Sequence, residues 1–159
     1  MISLKKRSQQ GFTIVELLIV IVVIGILAAL VVTTYAGIQA KARDSKRQTD
    51  VQALQTQIEA YYATNNFYPA LVDLNTDSWR ATNMKSLDKA ALYDPSAPNN
   101  TDANPLSGSA ATAAGKKYGY VALNSSSATC TTGDTTCATY TLTAYLESSK
   151  TVYSKANLD

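Results

Sequence analysis

Between Phe12 and Val32 the chain reads FTIVELLIVIVVIGILAALVV, and only Thr13 and Glu16 in it are polar. Twenty-one residues of helix rise about 31 Å, close to the hydrocarbon thickness of a bilayer. A buried core helix competes poorly, because no other segment of the 159 residues is able to cover an apolar cylinder on all sides. Three membrane readings remain. A cleaved secretory signal peptide fits the small residues around Thr34, Tyr35 and Ala36, but the run exceeds the ~7–15 residues of a signal core and Glu16 interrupts it. A plain signal anchor leaves Glu16 as an unexplained cost, about 2.5–3.5 kcal/mol for an acid at mid-membrane and less near the interface. The third reading has to explain Glu16 together with the basic leader Lys5, Lys6 and Arg7.

That leader, then Gly11, then Phe12-Thr13-Ile14-Val15-Glu16-Leu17-Leu18, resembles the class III leader and cleavage site of type IV pilins and pseudopilins. The likeness is strong from Lys5 to about Ala63 and only suggestive beyond it. It implies that a prepilin peptidase cuts between Gly11 and Phe12 and methylates the new Phe12 amine. It implies that the apolar helix then stays in the bilayer until an assembly ATPase and a platform protein add the subunit to a filament of its own copies and other pilins. The product is a structural subunit and not an enzyme: a pilin of a type IV pilus, or alternatively a pseudopilin of a type II secretion or DNA-uptake system. A bitopic membrane protein with a small binding head is a further alternative. Gly25 matches a Gly often seen in pilin helices. Thr33 stands where many type IVa pilins carry Pro, which leaves open whether the helix unwinds in the filament.

The physics of Glu16 points the same way. A buried carboxylate must find a partner or take up a proton. A free α-amine, with a pKa of about 8, is mostly charged at neutral pH. In a filament the Phe12 amine of one copy meets Glu16 of the next, and a wrong stagger leaves a bare charge in an apolar core. The plainer role for Glu16 is attraction to the positive end of its own helix. Topology is nearly tied on basic residues, since Lys41, Arg43, Lys46 and Arg47 follow the span closely. The two Cys and the polar C-terminal region place the N-terminus inside. The subunit then resides in the cytoplasmic membrane before assembly and in a cell-surface or extracytoplasmic filament afterwards.

Helical spacing continues past the membrane edge. Ile38, Ala42, Val51, Leu54, Ile58 and Tyr61 or Tyr62 form one apolar stripe, and no Pro or Gly interrupts residues 38–64. Lys46 with Asp50, and Asp44 with Arg47, read as pairs on an exposed face. Asn65-Asn66, with Pro69 beyond, ends the helix. Four segments follow: a leader over 1–11, a membrane and filament-core helix over 12–36, its amphipathic continuation over 37–64, and an α+β head over 65–159. In the head we expect a short helix within 78–92, with Trp79, Leu87 and Leu92 in the core, and a long loop over 94–115. Alternation predicts strands at 118–123 and 140–146, and Val152-Tyr153 make a third. The expected fold is α+β, an antiparallel sheet on the second half of the long helix. Ten Tyr against two Phe and one Trp suggest a small core whose aromatic tips stay wet.

The chain has no His, which excludes His-dependent triads, His-ligated metals and His pH switches. Two Cys, Cys130 and Cys137, are too few for a Cys-only zinc site. They read as a disulfide at a hairpin tip outside the cytoplasm. No cofactor is expected. Asn99, Asn100, Asp102 and Asn104 offer oxygens to Ca²⁺, but Asp102 alone is charged and a solvated loop is the better reading. Lys116-Lys117 is two solvated lysines. Without Lys5, Lys6 and Arg7 the net charge falls from +2 to −1, so a nucleic-acid role enters only through DNA uptake.

Overall fold

The computed structural model describes residues 11–97 and 102–158. Helix α1 runs from Ile14 to Asn65 without a break, through Gly25 and Thr33. It ends where Asn66 takes a left-handed conformation (φ 64°) and its amide caps the Tyr62 carbonyl at 2.7 Å. Asn tolerates that backbone better than most residues and so stops helices well. The chain divides into two units between Ile38 and Gln39. In the first, every described side chain from Phe12 to Val32 is exposed. It is the one stretch among the described residues long and apolar enough to cross a membrane.

The second unit, Gln39–Asp159, is the α+β head. After α1 come two short helices, α2 (Leu71–Asn75) and α3 (Asp77–Asn83), and a 3₁₀ turn at Lys89–Leu92. Four strands follow: β1 (Leu106–Ser107), β2 (Tyr118–Asn124), β3 (Cys137–Leu146) and β4 (Thr151–Ala156). They form one sheet in the order β1-β2-β3-β4. β2, β3 and β4 pair antiparallel, but β1 runs parallel to β2, with Leu106 opposite Tyr118. The sheet is therefore mixed, not purely antiparallel, and the expected loop over 94–115 contains a strand. The expected helix within 78–92 is broken: Leu92 is buried, while Trp79 and Leu87 only flank the core.

The two sheet edges differ. The Asn75 side chain donates to the Leu106 carbonyl (3.1 Å) and accepts from the Leu106 amide (2.9 Å), taking the place of a neighbouring strand. β4, the opposite edge, is largely exposed on both faces. Gly119 is required by close packing. A Cβ there would stand 2.2 Å from the Ser109 carbonyl oxygen and 2.3 Å from Thr143 Oγ1, because the 109–111 segment lies directly on the sheet.

The core joins Val51, Leu54 and Ile58 of α1 to Tyr118, Tyr120, Tyr140 and Leu142 of the sheet. Ile38 and Ala42, expected in the same stripe, are exposed. The tyrosine tips are not wet. Tyr118 donates to Asp50 at 2.8 Å, Tyr120 to the Pro69 carbonyl at 2.7 Å, and Tyr68 and Tyr140 to Glu59 at 3.2 and 2.7 Å. Burial becomes affordable because each hydroxyl exchanges water for a protein acceptor.

The faces of α1 also differ from expectation at its charged turns. Asp44, Arg47 and Asp50 are 5%, 2% and 3% exposed, so this is an inner face and not a solvated one. Arg47 bonds Asp44 (2.8 Å), Asp94 (2.7 and 2.9 Å), Ser96 (3.1 Å) and Glu147. Asp44 also accepts from the amides of Glu147 and Ser148, both at 2.8 Å. Arg43 holds Glu147 from the rim. Burial pushes the Asp44 carboxyl up, but Ser148, the Glu147 amide and Arg47 outweigh it and hold it below the usual range. At Asp94 burial is again overcome, by Arg47 and Ser96, and Arg43 and Arg47 hold Glu147 down. One arginine thus ties α1 to the β3–β4 turn and to the Asp94 segment.

Cys130 and Cys137 are joined in a disulfide across the end of the β2–β3 hairpin, with Cα atoms 6.0 Å apart. A chain starting at Ala40 should be soluble and folded, with no thiol titrating after denaturation. Replacing both cysteines by serine should lower its unfolding free energy by about 2–3 kcal/mol, the scale of closing so small a ring. An unchanged urea midpoint would remove the staple from the account.

Candidate functional site: the opening of the long helix

Gly11, Phe12 and Thr13 precede the first residue of α1. Thr13 is its N-cap. The Glu16 amide donates to Thr13 Oγ1 (3.2 Å), while Glu16 Oε2 accepts from the Thr13 amide (2.9 Å) and hydroxyl (2.7 Å). This is a reciprocal capping box, which satisfies the Glu16 and Thr13 amides and, with them, the Thr13 hydroxyl. Glu16 is therefore partnered within a single copy, on its own helix terminus. Both side-chain contacts use Oε2 and not Oε1. The sequence reading singled out Glu16 and passed over Thr13, although the Thr-x-x-Glu pattern ahead of an apolar run carries the signal.

Phe12 is 86% exposed. Nothing lies within 4 Å of where a Cβ on Gly11 would stand, so the chain itself makes no steric demand for glycine there. The basic residues Lys5, Lys6 and Arg7 lie outside the described residues, as do Asn99 and Asn100. Of the remaining Ca²⁺ candidates, Asp102 is ion-paired with Lys117 at 2.7 Å and accepts from the Asn104 amide at 3.0 Å. A cation there must first displace a lysine. Cys130 and Cys137 lie in the hairpin of the head, apart from this site and joined to each other.

The pattern described as the prokaryotic N-terminal methylation motif matches residues 6–32. The N-terminal segment is similar to those of type IV pilin-like proteins. Its relatives include the type II secretion system core protein G of Aeromonas hydrophila, 44% identical over 66 residues, which are 42% of this chain and 46% of that protein. The protein of the same description from Vibrio cholerae is 42% identical over 65 residues (41% of this chain, 44% of the relative). That from Escherichia coli is 43% identical over 62 residues (39% and 43%). The chain thus spans less than half the length of the curated relatives it matches. No solved structure matches the chain.

Proposed function

We propose that the chain is a non-enzymatic filament subunit of the pseudopilin kind, assembled through its N-terminal helix in a type II secretion machine. The observation that carries the filament reading is the capping box at the head of a helix exposed on every side from Phe12 to Val32. Such a surface needs lipid before assembly and neighbouring helices after it. The relatives' description favours a pseudopilus over the type IV pilus expected first from the sequence, while the methylation motif is common ground for both. The subunit sits in the cytoplasmic membrane with its N-terminus inside, and its partners are copies of itself, other pilin-like subunits, a prepilin peptidase and an assembly platform with its ATPase.

Deleting the gene in its host should abolish export of secreted proteins and leave surface pili in place. Loss of pili with export intact would overturn the pseudopilus reading in favour of a pilus. Processing gives a second check. The mature protein should begin at Phe12 with a methylated amine, read by N-terminal mass analysis. Gly11→Val should leave the leader attached: the chain does not need glycine there, so any intolerance of bulk belongs to the peptidase that approaches the backbone. An intact Met1 in the wild-type filament would sink the pilin-like processing.

A further inference from the structure

The head's sheet is closed at one edge and open at the other. At β1 the Asn75 side chain bonds both the amide and the carbonyl of Leu106. Along β4 Thr151, Val152, Ser154 and Ala156 are exposed, and Val152, at 48%, is an apolar side chain on an open edge. The strand is also held in place. At one end Asp44 accepts from the Glu147 and Ser148 amides and fixes the turn that leads into β4. At the other Gln55 donates to the Ala156 carbonyl at 2.7 Å, and the Leu158 amide donates to Glu59 at 3.2 Å. A strand already in shape loses little entropy when another joins it. Exposed edges are ordinarily guarded by Pro, a bulge or a charge. β4 has no Pro, and its register against β3 is unbroken from Thr151 to Ala156. Lys155 is its one charge.

Lys155 decides what can lie opposite. Alternation puts Tyr153 and Lys155, both half-buried, on the core-facing side, and Val152, Ser154 and Ala156 on the outer side. We propose that β4 pairs antiparallel with β4 of a second copy of this chain, on a two-fold axis through Ser154. Ser154 then faces Ser154, each Val152 faces the other copy's Ala156, and each Lys155 faces the other copy's Tyr153. The outer side gains two apolar pairs, and the core-facing side gains two contacts of an ammonium with a tyrosine ring. Centring the pair on Lys155 would set two cations face to face. Centring it on Tyr153 would put Val152 against Ser154 and Lys155 against Thr151, losing both kinds of contact. Such self-complementarity is what a two-fold contact requires, since one surface serves both partners. One short strand against another buries less than the ~1,200 Å² of a stable complex, so the pair forms where copies are crowded. It involves the head alone and stands apart from which filament the subunit enters.

The test places single cysteines on the full chain in detergent micelles, where no bilayer dictates how two heads approach, with Cys130 and Cys137 left in their disulfide. Facing residues of an antiparallel pair have Cα atoms about 4.5–5.5 Å apart, within reach of a disulfide. Under mild oxidation Ser154→Cys should link to itself about tenfold faster, or more, than Ser125→Cys on the exposed β2–β3 turn, because pairing raises the effective concentration of its two thiols. Val152→Cys should link to Ala156→Cys in a mixture of the two chains, and neither should link to itself. Ser154→Lys in both chains sets like charges face to face at an exposed position and should abolish that mixed link. Ser154→Lys in one chain and Ser154→Glu in the other should restore it. Ser154→Cys linking no faster than Ser125→Cys overturns the proposal, since chance collision then accounts for it. So does a mixed link that persists with Ser154→Lys in both chains, because the axis then passes elsewhere. Slow exchange of the β4 amides in dilute micelles, with no link formed, assigns the edge to another segment of the same copy and also overturns it.

Discussion

Cells whose only copy of this protein carries Glu16→Leu should make and insert it at normal levels and assemble no filaments. Leucine is cheaper than glutamate in hydrocarbon by a few kcal/mol, so a simple anchor would gain from the change. A register device would lose everything. In one copy Glu16 Oε2 is occupied by Thr13, which makes the carboxylate tolerable near the membrane interface. On the filament proposal above, assembly would move it into a packed apolar core, where the Phe12 amine of the neighbouring copy would be its partner. Such a contact would be heterologous, propagating instead of closing. Glu16→Gln keeps the shape and the hydrogen bond but not the charge, and should also leave filaments sparse. Sheared-filament yield, measured against subunit abundance in membranes, reads the result. Normal filament numbers from Glu16→Leu would reject the register role.

The second large effect is expected at Arg47. Arg47→Ala leaves Asp44 and Asp94 buried without their cation and should cost about 3–5 kcal/mol. That is a large part of the 5–15 kcal/mol typical of a domain. Arg43→Ala removes a partner at the rim and should cost about 1 kcal/mol or less. The same cluster sets the acid behaviour. Asp44, Asp94 and Glu147 are all held below their ordinary values in the folded chain. Their contribution is fully present above the unfolded carboxylate range, near pH 4, and is lost as pH falls through the lower folded values. Urea midpoints of a chain starting at Ala40 should therefore drop between pH 5 and pH 2–3 (about the carboxylate window), and the Arg47→Ala head should show a weaker drop. A wild-type midpoint flat across that range would contradict the cluster's role.

The two charged turns of α1 explain where sequence reasoning stopped. Asp44 and Arg47 three apart look the same on a solvated face and on a buried one. The residues that decide between these, Asp94 and Glu147, lie 47 and 100 positions from Arg47, and no local pattern joins them. The apolar run and its lone acid were legible because lipid imposes a simple rule on twenty consecutive residues. The strands at 118 and 140 were legible through alternation, and the disulfide through proximity of the two cysteines in a chain that carries an apolar run long enough to cross a membrane. β1 was not, because two residues carry no period and a parallel partner is reached only through a crossover. The tyrosines were counted correctly and placed wrongly: a hydroxyl favours water only until Glu59, Asp50 or a Pro69 carbonyl is brought within reach by the fold.

Asn75 has a consequence for crowding. A filament packs identical heads at high local concentration, the condition under which exposed strand edges join and spread. Leu106 presents both of its outward backbone groups to a side chain that never leaves the molecule. Among the described strands, β4 is the edge left largely exposed to another strand. Two heads meeting there use each other's single free edge, and a third finds none. Sheet growth between heads through that edge ends at a pair, which leaves open-ended order in the proposed filament to the helix.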